Sequence, residues 1–266
     1  MRYEHDSEKL LPINIIRTGH VYHQPHVIRS EGFAAYQIAV CASGEGKFIY
    51  HNDKHIIKEN DIFLFSPRVK HEYYPVTKNW EIYYFVFSGE CVENLFKYFR
   101  FDEAEVFSGI NNTSKIRSIC ELMMNTDDNY LLSLYLYELL GLTVQLPKLS
   151  SQSSADDKEH FKKIAPVTDY IKDNYKQTIS LEELADLINV SKSYLCRIFK
   201  ETHGITPIKY LQSIRVNKAK QLLSSTDMKL KKLCSETGFN DISYFCMIFK
   251  EHEGMTPEEF RTLHTY

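Results

Sequence analysis

The spacing of apolar residues divides the chain into a strand-forming region and a helix-forming region. From about Gly19 to Ser88 apolar residues recur with period two or in short runs bounded by turn residues, which predicts strands and hairpins. Ala35-Tyr-Gln-Ile-Ala-Val-Cys41 leads into Ser43-Gly-Glu-Gly46, and Lys47-Phe-Ile-Tyr50 leads into His51-Asn-Asp-Lys54. Ile62-Phe-Leu-Phe65 ends at Ser66-Pro67, and Trp80-Glu-Ile-Tyr-Tyr-Phe-Val-Phe87 closes the series. Many short strands with such turns predict a small barrel or sandwich rather than a parallel sheet.

Between Cys91 and Leu146 the period changes to that of helices. Val92, Leu95, Phe96 and Phe99 mark one helix, Ile116, Ile119, Cys120, Met123 and Met124 a second, and Leu131 to Leu146 a third. The last two are strongly apolar, which suits either packing against the strands or a dimerisation surface. Lys148 to Lys158 is Ser-rich and nearly free of apolar anchors, so it reads as a flexible linker. After it everything is helical. Phe161, Ile164, Val167, Ile171 and Tyr175 form a stripe, Ser180 with Glu183 makes a capping box before Leu181–Ile188, Ser191 can cap the next helix, and Thr206-Pro207 opens a longer one reaching about Ser224.

A single stretch of this helical region is written twice. Ser193-Tyr-Leu-Cys-Arg-Ile-Phe-Lys-Glu-Thr-His-Gly-Ile-Thr-Pro207 returns as Ser243-Tyr-Phe-Cys-Met-Ile-Phe-Lys-Glu-His-Glu-Gly-Met-Thr-Pro257. Two copies are too few for a stacked solenoid and fit a duplicated supersecondary unit. In the first copy Ala185 is followed by Asn189 and Leu195; in the second, Cys234 is followed by Gly238 and, after one inserted residue, Phe245. Two helices that cross steeply need a small residue at the crossing, a residue tolerant of φ > 0 at the turn, and an apolar plug on the second helix. Both copies supply all three, which predicts two helix-turn-helix units.

The second helix of each unit separates into faces. Leu195, Ile198 and Phe199, and likewise Phe245, Ile248 and Phe249, share an inward stripe. Ser193, Cys196, Arg197 and Lys200, and Ser243, Cys246, Met247 and Lys250, share the other face. Such a face suits the major groove of double-stranded DNA, where Arg grips guanine and short side chains touch thymine methyls. The helix from Pro207 to Ser224 would span about 27 Å, near the roughly 34 Å turn of B-DNA, with Lys192, Lys200, Arg215, Lys218 and Lys250 near phosphates.

Composition adds limits. The net charge of −3 is uneven: residues 161–266 carry 16 Lys and Arg against 13 Asp and Glu, and residues 1–160 carry 16 against 22. The basic surplus therefore lies with the repeats. Six scattered cysteines without a Cys-x-x-Cys pair read as free thiols of a reducing compartment, Cys196 and Cys246 on the reading face among them. The polar, acidic N-terminus and the lack of a long apolar run predict a cytoplasmic protein without a membrane segment.

Arg215-x-x-x-Ala219-x-x-Leu-Leu223, Gly238-Phe-x-Asp-x-Ser-Tyr-Phe245, Phe249-Lys250 and Gly254-Met-Thr-Pro257 resemble the AraC/XylS transcription regulators across residues 160–262. Departures are Cys234, where Ala is usual, and Met247, where Arg is usual. Gly44-x-Gly46, Asn60-Asp-Ile-Phe-Leu-Phe-Ser-Pro67 and His71-Glu-Tyr73 are similar to the cupin-like sensor domain of the sugar-responsive branch. That resemblance implies a sugar held in a barrel mouth by Arg29, Tyr73, Trp80 and Tyr84, with His71 a pocket histidine.

The fold expected is α+β and multidomain: a cupin-like barrel over residues 1–90, dimerisation helices over 91–147, a linker over 148–159 and an all-α double helix-turn-helix over 160–266. The partners expected are DNA, a small-molecule effector and a second copy of the chain, with RNA polymerase contact open and no cofactor. Two rivals remain: a ligandless module whose barrel only dimerises or contacts protein, and a metal-dependent cupin enzyme. The enzyme has little support, since only His71 sits where a ligand would be and His23-Gln-Pro-His26 lacks the spacing.

Overall fold

A computed structural model of the chain describes residues 11–109 and 113–264. The chain separates into two compact units, Met1–Ser153 and Ser154–Tyr266.

Unit 1 holds β1 (Asn14–Val21), β2 (Val27–Arg29), β3 (Tyr36–Ser43), β4 (Gly46–Tyr50), β5 (Asp53–Ile57), β6 (Ile62–Phe65), β7 (His71–Pro75), β8 (Glu81–Ser88), α1 (Val92–Phe99), β9 (Ala104–Phe107), α2 (Thr113–Met124) and α3 (Asn129–Thr143). The strands form two antiparallel sheets, ordered β1-β8-β3-β6-β9 and β2-β7-β4-β5. The expected barrel is thus two facing sheets whose edges are not closed by strand pairing among the described residues. On one side a strap bridges the gap instead: Leu149 N–H donates to Val106 O of β9 at 2.7 Å and Gln152 N–H to Lys54 O of β5 at 2.8 Å.

The five-stranded sheet is covered on both faces. Ile38, Val40, Tyr83, Phe85 and Phe87 pack with α1, α2 and α3, while Ala39, Cys41 and Ile82 face the second sheet with Phe48, Phe63, Phe65 and Trp80. Double coverage explains why Ala35–Cys41 and Trp80–Phe87 are near-continuous apolar runs instead of clean alternations. The hairpin joining β4 and β5 has left-handed backbone at both His51 (φ 49°) and Asn52 (φ 64°), which matches the twist of the flanking strands.

Strand β9 was hidden in the region read as helical. It pairs with β6, from Ile62↔Phe107 to Phe65↔Ala104, and this distant partner decides its conformation more than its own four residues do. The segment expected to be a linker also carries structure. Residues 148–153 form the strap, and Ser154 with Asp157 makes a capping box.

Unit 2 comprises α4 (Ala155–Asn174), α5 (Leu181–Asp186), α6 (Lys192–His203), α7 (Pro207–Ser225), α8 (Leu230–Glu236), α9 (Ile242–Glu253) and α10 (Pro257–His264). The caps fall where the sequence places them: Ser180 caps α5 in a box with Glu183, Ser191 caps α6, and Thr206 caps α7 with Pro207 in the first turn. No helix of the described residues is long and apolar enough to cross a membrane.

Trp80 is fully buried, and a Cβ built on Gly46 would lie 2.3 Å from its ring. Gly46→Val is therefore expected to destabilise unit 1 by about 1–3 kcal/mol through overpacking, read as a lower urea midpoint at unchanged slope.

Candidate nucleic-acid interface and ligand pocket

Both turns in unit 2 are built alike. Asn189 has φ 53° and Gly238 φ 82°, the left-handed region that Asn and Gly tolerate best. Val190 N–H donates to Ala185 O at 3.1 Å, and Phe239 N–H to Cys234 O at 3.0 Å. Leu195 and Phe245 are fully buried as plugs beneath the crossings. Gly238 is further required by close approach, since a Cβ there would meet Tyr175 O at 2.5 Å.

The burial of the two second helices repeats in register. Lys192, Ser193, Arg197 and Lys200 are exposed on α6, as are Ser243, Met247 and Lys250 on α9, while Cys196 and Cys246 are half-buried. Each helix ends at a left-handed glycine with φ 74°, Gly204 and Gly254. The structure thus groups nine of the eleven sequence-selected residues on two equivalent faces, and Arg215 and Lys218 lie on α7. Helix α7, with 19 residues, spans about 28 Å between the two helix-turn-helix pairs of unit 2.

Local partners hold the polar side chains in place. Arg197 Nη1 donates to Glu201 at 3.0 Å, and its guanidinium lies 5.0 Å from the Tyr194 ring. Lys163 donates to the Tyr194 hydroxyl at 3.4 Å, and Lys192 pairs with Glu182 at 3.5 Å. Exposed pairs of this kind contribute about 0–1 kcal/mol, so phosphates or base edges can replace them at little cost. Burial raises the Cys246 thiol above its ordinary value, which keeps it protonated and argues against a thiolate sensor there.

Arg215 is a correction. The sequence places it near phosphates, but its Nε donates to Tyr175 O at 2.8 Å and Nη2 to Gln177 O at 2.7 Å. Its guanidinium also lies 5.6 Å from the Phe239 ring. Partly buried and engaged by the C-terminal end of α4, it ties α4 and α7 to the second turn. Tyr194 and Tyr244 were missed; the latter's hydroxyl accepts from Gln212 at 2.6 Å. Their recurrence at one place in both copies was the available signal.

In unit 1 the five sequence-selected residues converge, but not as an open mouth. Arg29 pairs in register with His71 across β2 and β7 and lies 4.8 Å from the Phe33 ring. Arg29 and Tyr84 are half-buried, whereas His71, Tyr73 and Trp80 are buried in the layer between the sheets. This corrects the expected platform: Trp80 packs beneath Gly46, and a Cβ on Gly19 would strike the Tyr84 ring at 2.3 Å.

His71 Nδ1 hydrogen-bonds Val69 O at 2.8 Å. Burial, helped by the Arg29 charge, pushes its pKa down to about 3, so the ring is neutral and Nδ1 is the donor. Gln37, missed in the sequence, is buried within hydrogen-bonding reach of Tyr73. It was hidden inside an apolar run. Among the described residues no group of three or more His, Cys, Asp or Glu is arranged to hold a metal ion.

Comparison with known proteins agrees with this architecture. An AraC-like ligand binding domain model matches residues 15–140, and a helix-turn-helix domain model matches residues 184–262. The chain is 28% identical to the lactose operon transcription activator of Staphylococcus xylosus, over 88% of this chain and 87% of that protein. It is 23% identical to the Msm operon regulatory protein of Streptococcus mutans, over 77% and 76%. It is 24% identical to the raffinose operon regulatory protein RafR of Pediococcus pentosaceus, over 78% and 77%. The fold and these matches define a DNA-binding transcription regulator with a ligand-binding domain, and not an enzyme. Within that class, the chain belongs to the AraC/XylS family.

Arg215 and Lys200 are expected to behave oppositely on substitution. Arg215→Ala lowers the stability of unit 2 by about 1.5–3 kcal/mol through lost charged hydrogen bonds, read by urea unfolding. Lys200→Ala leaves stability unchanged and reduces the salt dependence of DNA binding by about one charge, read by titration at several salt concentrations.

Proposed function

We propose that the protein is a cytoplasmic regulator of carbohydrate-utilisation genes that binds its operator as a homodimer and responds to a small sugar. The observation that carries this reading is the matched exposure of α6 and α9 behind two identically built turns. Lys192, Ser193, Cys196, Arg197 and Lys200 would enter one major groove, and Ser243, Cys246, Met247 and Lys250 the next. With Met247 in place of a second Arg, the first unit reads more bases, and the second relies more on phosphates and DNA shape.

The sugar reading rests on relatives named for the lactose and raffinose operons and on the Arg29 cluster. Arg29 and Tyr84, the two half-buried members, suit sugar hydroxyls and a C–H face, while His71, Tyr73 and Trp80 are buried between the sheets. Ligand would act by shifting the paired readers, and by no more than its differential affinity for the two states. Where the output is activation, as the name of the lactose relative states for that protein, RNA polymerase is a further partner.

Helix α3 supports the dimer. Tyr130 is 63% exposed, Leu134 63% and Tyr137 50%, and their spacing puts them on one exposed apolar stripe. Leu134→Glu is expected to give a monomer by sedimentation with an unchanged circular dichroism spectrum; a persistent dimer refutes this surface.

Mobility shifts with the DNA upstream of its own and neighbouring genes test the reader assignment. Arg197→Ala should weaken specific binding by about 1–3 kcal/mol; no binding at low salt, or an unaffected variant, removes the assignment. Arg29→Ala should abolish the thermal shift given by lactose, raffinose or galactose while DNA affinity is kept. Equal loss of both counts against the sensor.

A further inference from the structure

A cavity of about 520 Å³ opens at the side of unit 1, between the β4–β5 hairpin, the residues leading through β9 and the strap at Lys148–Ser151. It is separate from the Arg29 cluster, with which it shares no lining residue. Two of its side chains are buried without being satisfied. Glu105 is 5% exposed; one carboxylate oxygen pairs with Lys148, and Oε2 has no partner among the described residues. His55 is 4% exposed and stacks on Tyr50 at 5.2 Å. Its ring lies beside the Leu149 backbone, yet neither nitrogen reaches hydrogen-bond geometry. Unpaired buried polar atoms are costly and rare, and they require an explanation.

The charge of the lining selects among ligands. Asp53, Asp102, Glu103 and Glu105 face one lysine, and Lys148 is already engaged by Glu105 and, at 3.7 Å, by Asp102. Burial lowers the His55 pKa, so the ring is neutral and can exchange hydrogen bonds with hydroxyls. An uncharged polyol would satisfy His55 but bring no cation to the buried Glu105 carboxylate. A protonated amine supplies both the charge and the donors that the Glu105 Oε2 lacks.

We propose that this cavity is a binding site for a small hydroxyl-rich molecule carrying a protonated amine, of the amino-sugar class, and that the strap reports its occupancy. The strap forms the cavity wall and bonds both sheet edges: Leu149 N–H to Val106 O at 2.7 Å, Gln152 N–H to Lys54 O at 2.8 Å, and Lys54 N–H to Ser153 Oγ at 2.7 Å. The next residue, Ser154, is the cap of α4. A ligand touching β5, β9 and the strap together makes opening of these bonds rarer, so the chain entering the DNA-binding unit is held more firmly when the cavity is filled.

Calorimetric titration of the full chain with glucosamine and galactosamine, against glucose and N-acetylglucosamine, tests the proposal. The expected result is binding of an amino sugar at least tenfold tighter than of glucose or the acetylated sugar. Glu105→Gln and, separately, His55→Asn should each weaken it tenfold or more. Hydrogen exchange at the Leu149 and Gln152 amides should slow on binding. The proposal is overturned if neither amino sugar binds, if the acetylated sugar binds equally well, if both variants bind as wild type does, or if exchange in the strap is unchanged. Sugar-free mobility shifts read the regulator assignment separately, so one reading can fail without the other.

Discussion

The steep crossing of two short helices is the constraint on which the reading surface depends. Ala185 and Cys234 are small side chains buried in the first helix of each pair, and at Asn189 and Gly238 the chain reverses through left-handed backbone. These two conditions set the angle at which α6 and α9 leave their turns. Leu195 and Phe245 then lock the angle from below. Truncating a plug such as Phe245 to alanine would cost about 3–5 kcal/mol, far more than any exposed lysine contributes. The geometry of recognition therefore resides in buried residues that never meet DNA.

The exposed residues follow a different energetic logic. Arg197 and Lys192 each have a carboxylate partner nearby, but exposed pairs are weak and readily exchanged. Arg215 belongs to the other category. Its hydrogen bonds to Tyr175 O and Gln177 O join α7 to the end of α4.

Unit 1 shows how coverage on both faces shapes a sensor domain. Its five-stranded sheet lies between a helical layer and a second sheet, so its central strands β8, β3 and β6 carry near-continuous apolar runs. Among the polar groups buried there, His71 lies beside the half-buried Arg29, and Glu105, reached by the exposed Lys148, lines one cavity with His55. Such groups persist in an apolar interior only when paired or given a task.

Local and duplicated features were legible in the sequence. The helix-turn-helix units, their caps at Ser180, Ser191 and Thr206, and the inward stripe of α6 and α9 rest on contacts a few residues apart, and the second copy repeats the turn, the plug and the inward stripe. Ser154 and Asp157 also spelled a capping box, but the serine-rich composition around them concealed it. What only the tertiary structure decided involves distant partners. Strand β9 exists because β6 is there to pair with it. Arg215 turned inward because carbonyls of the α4 terminus lie within reach, and Trp80 sank beneath Gly46 because a missing side chain left room. Spacing along the chain records local geometry, whereas burial of one residue by another remote in sequence is set by packing, and packing leaves no periodic trace.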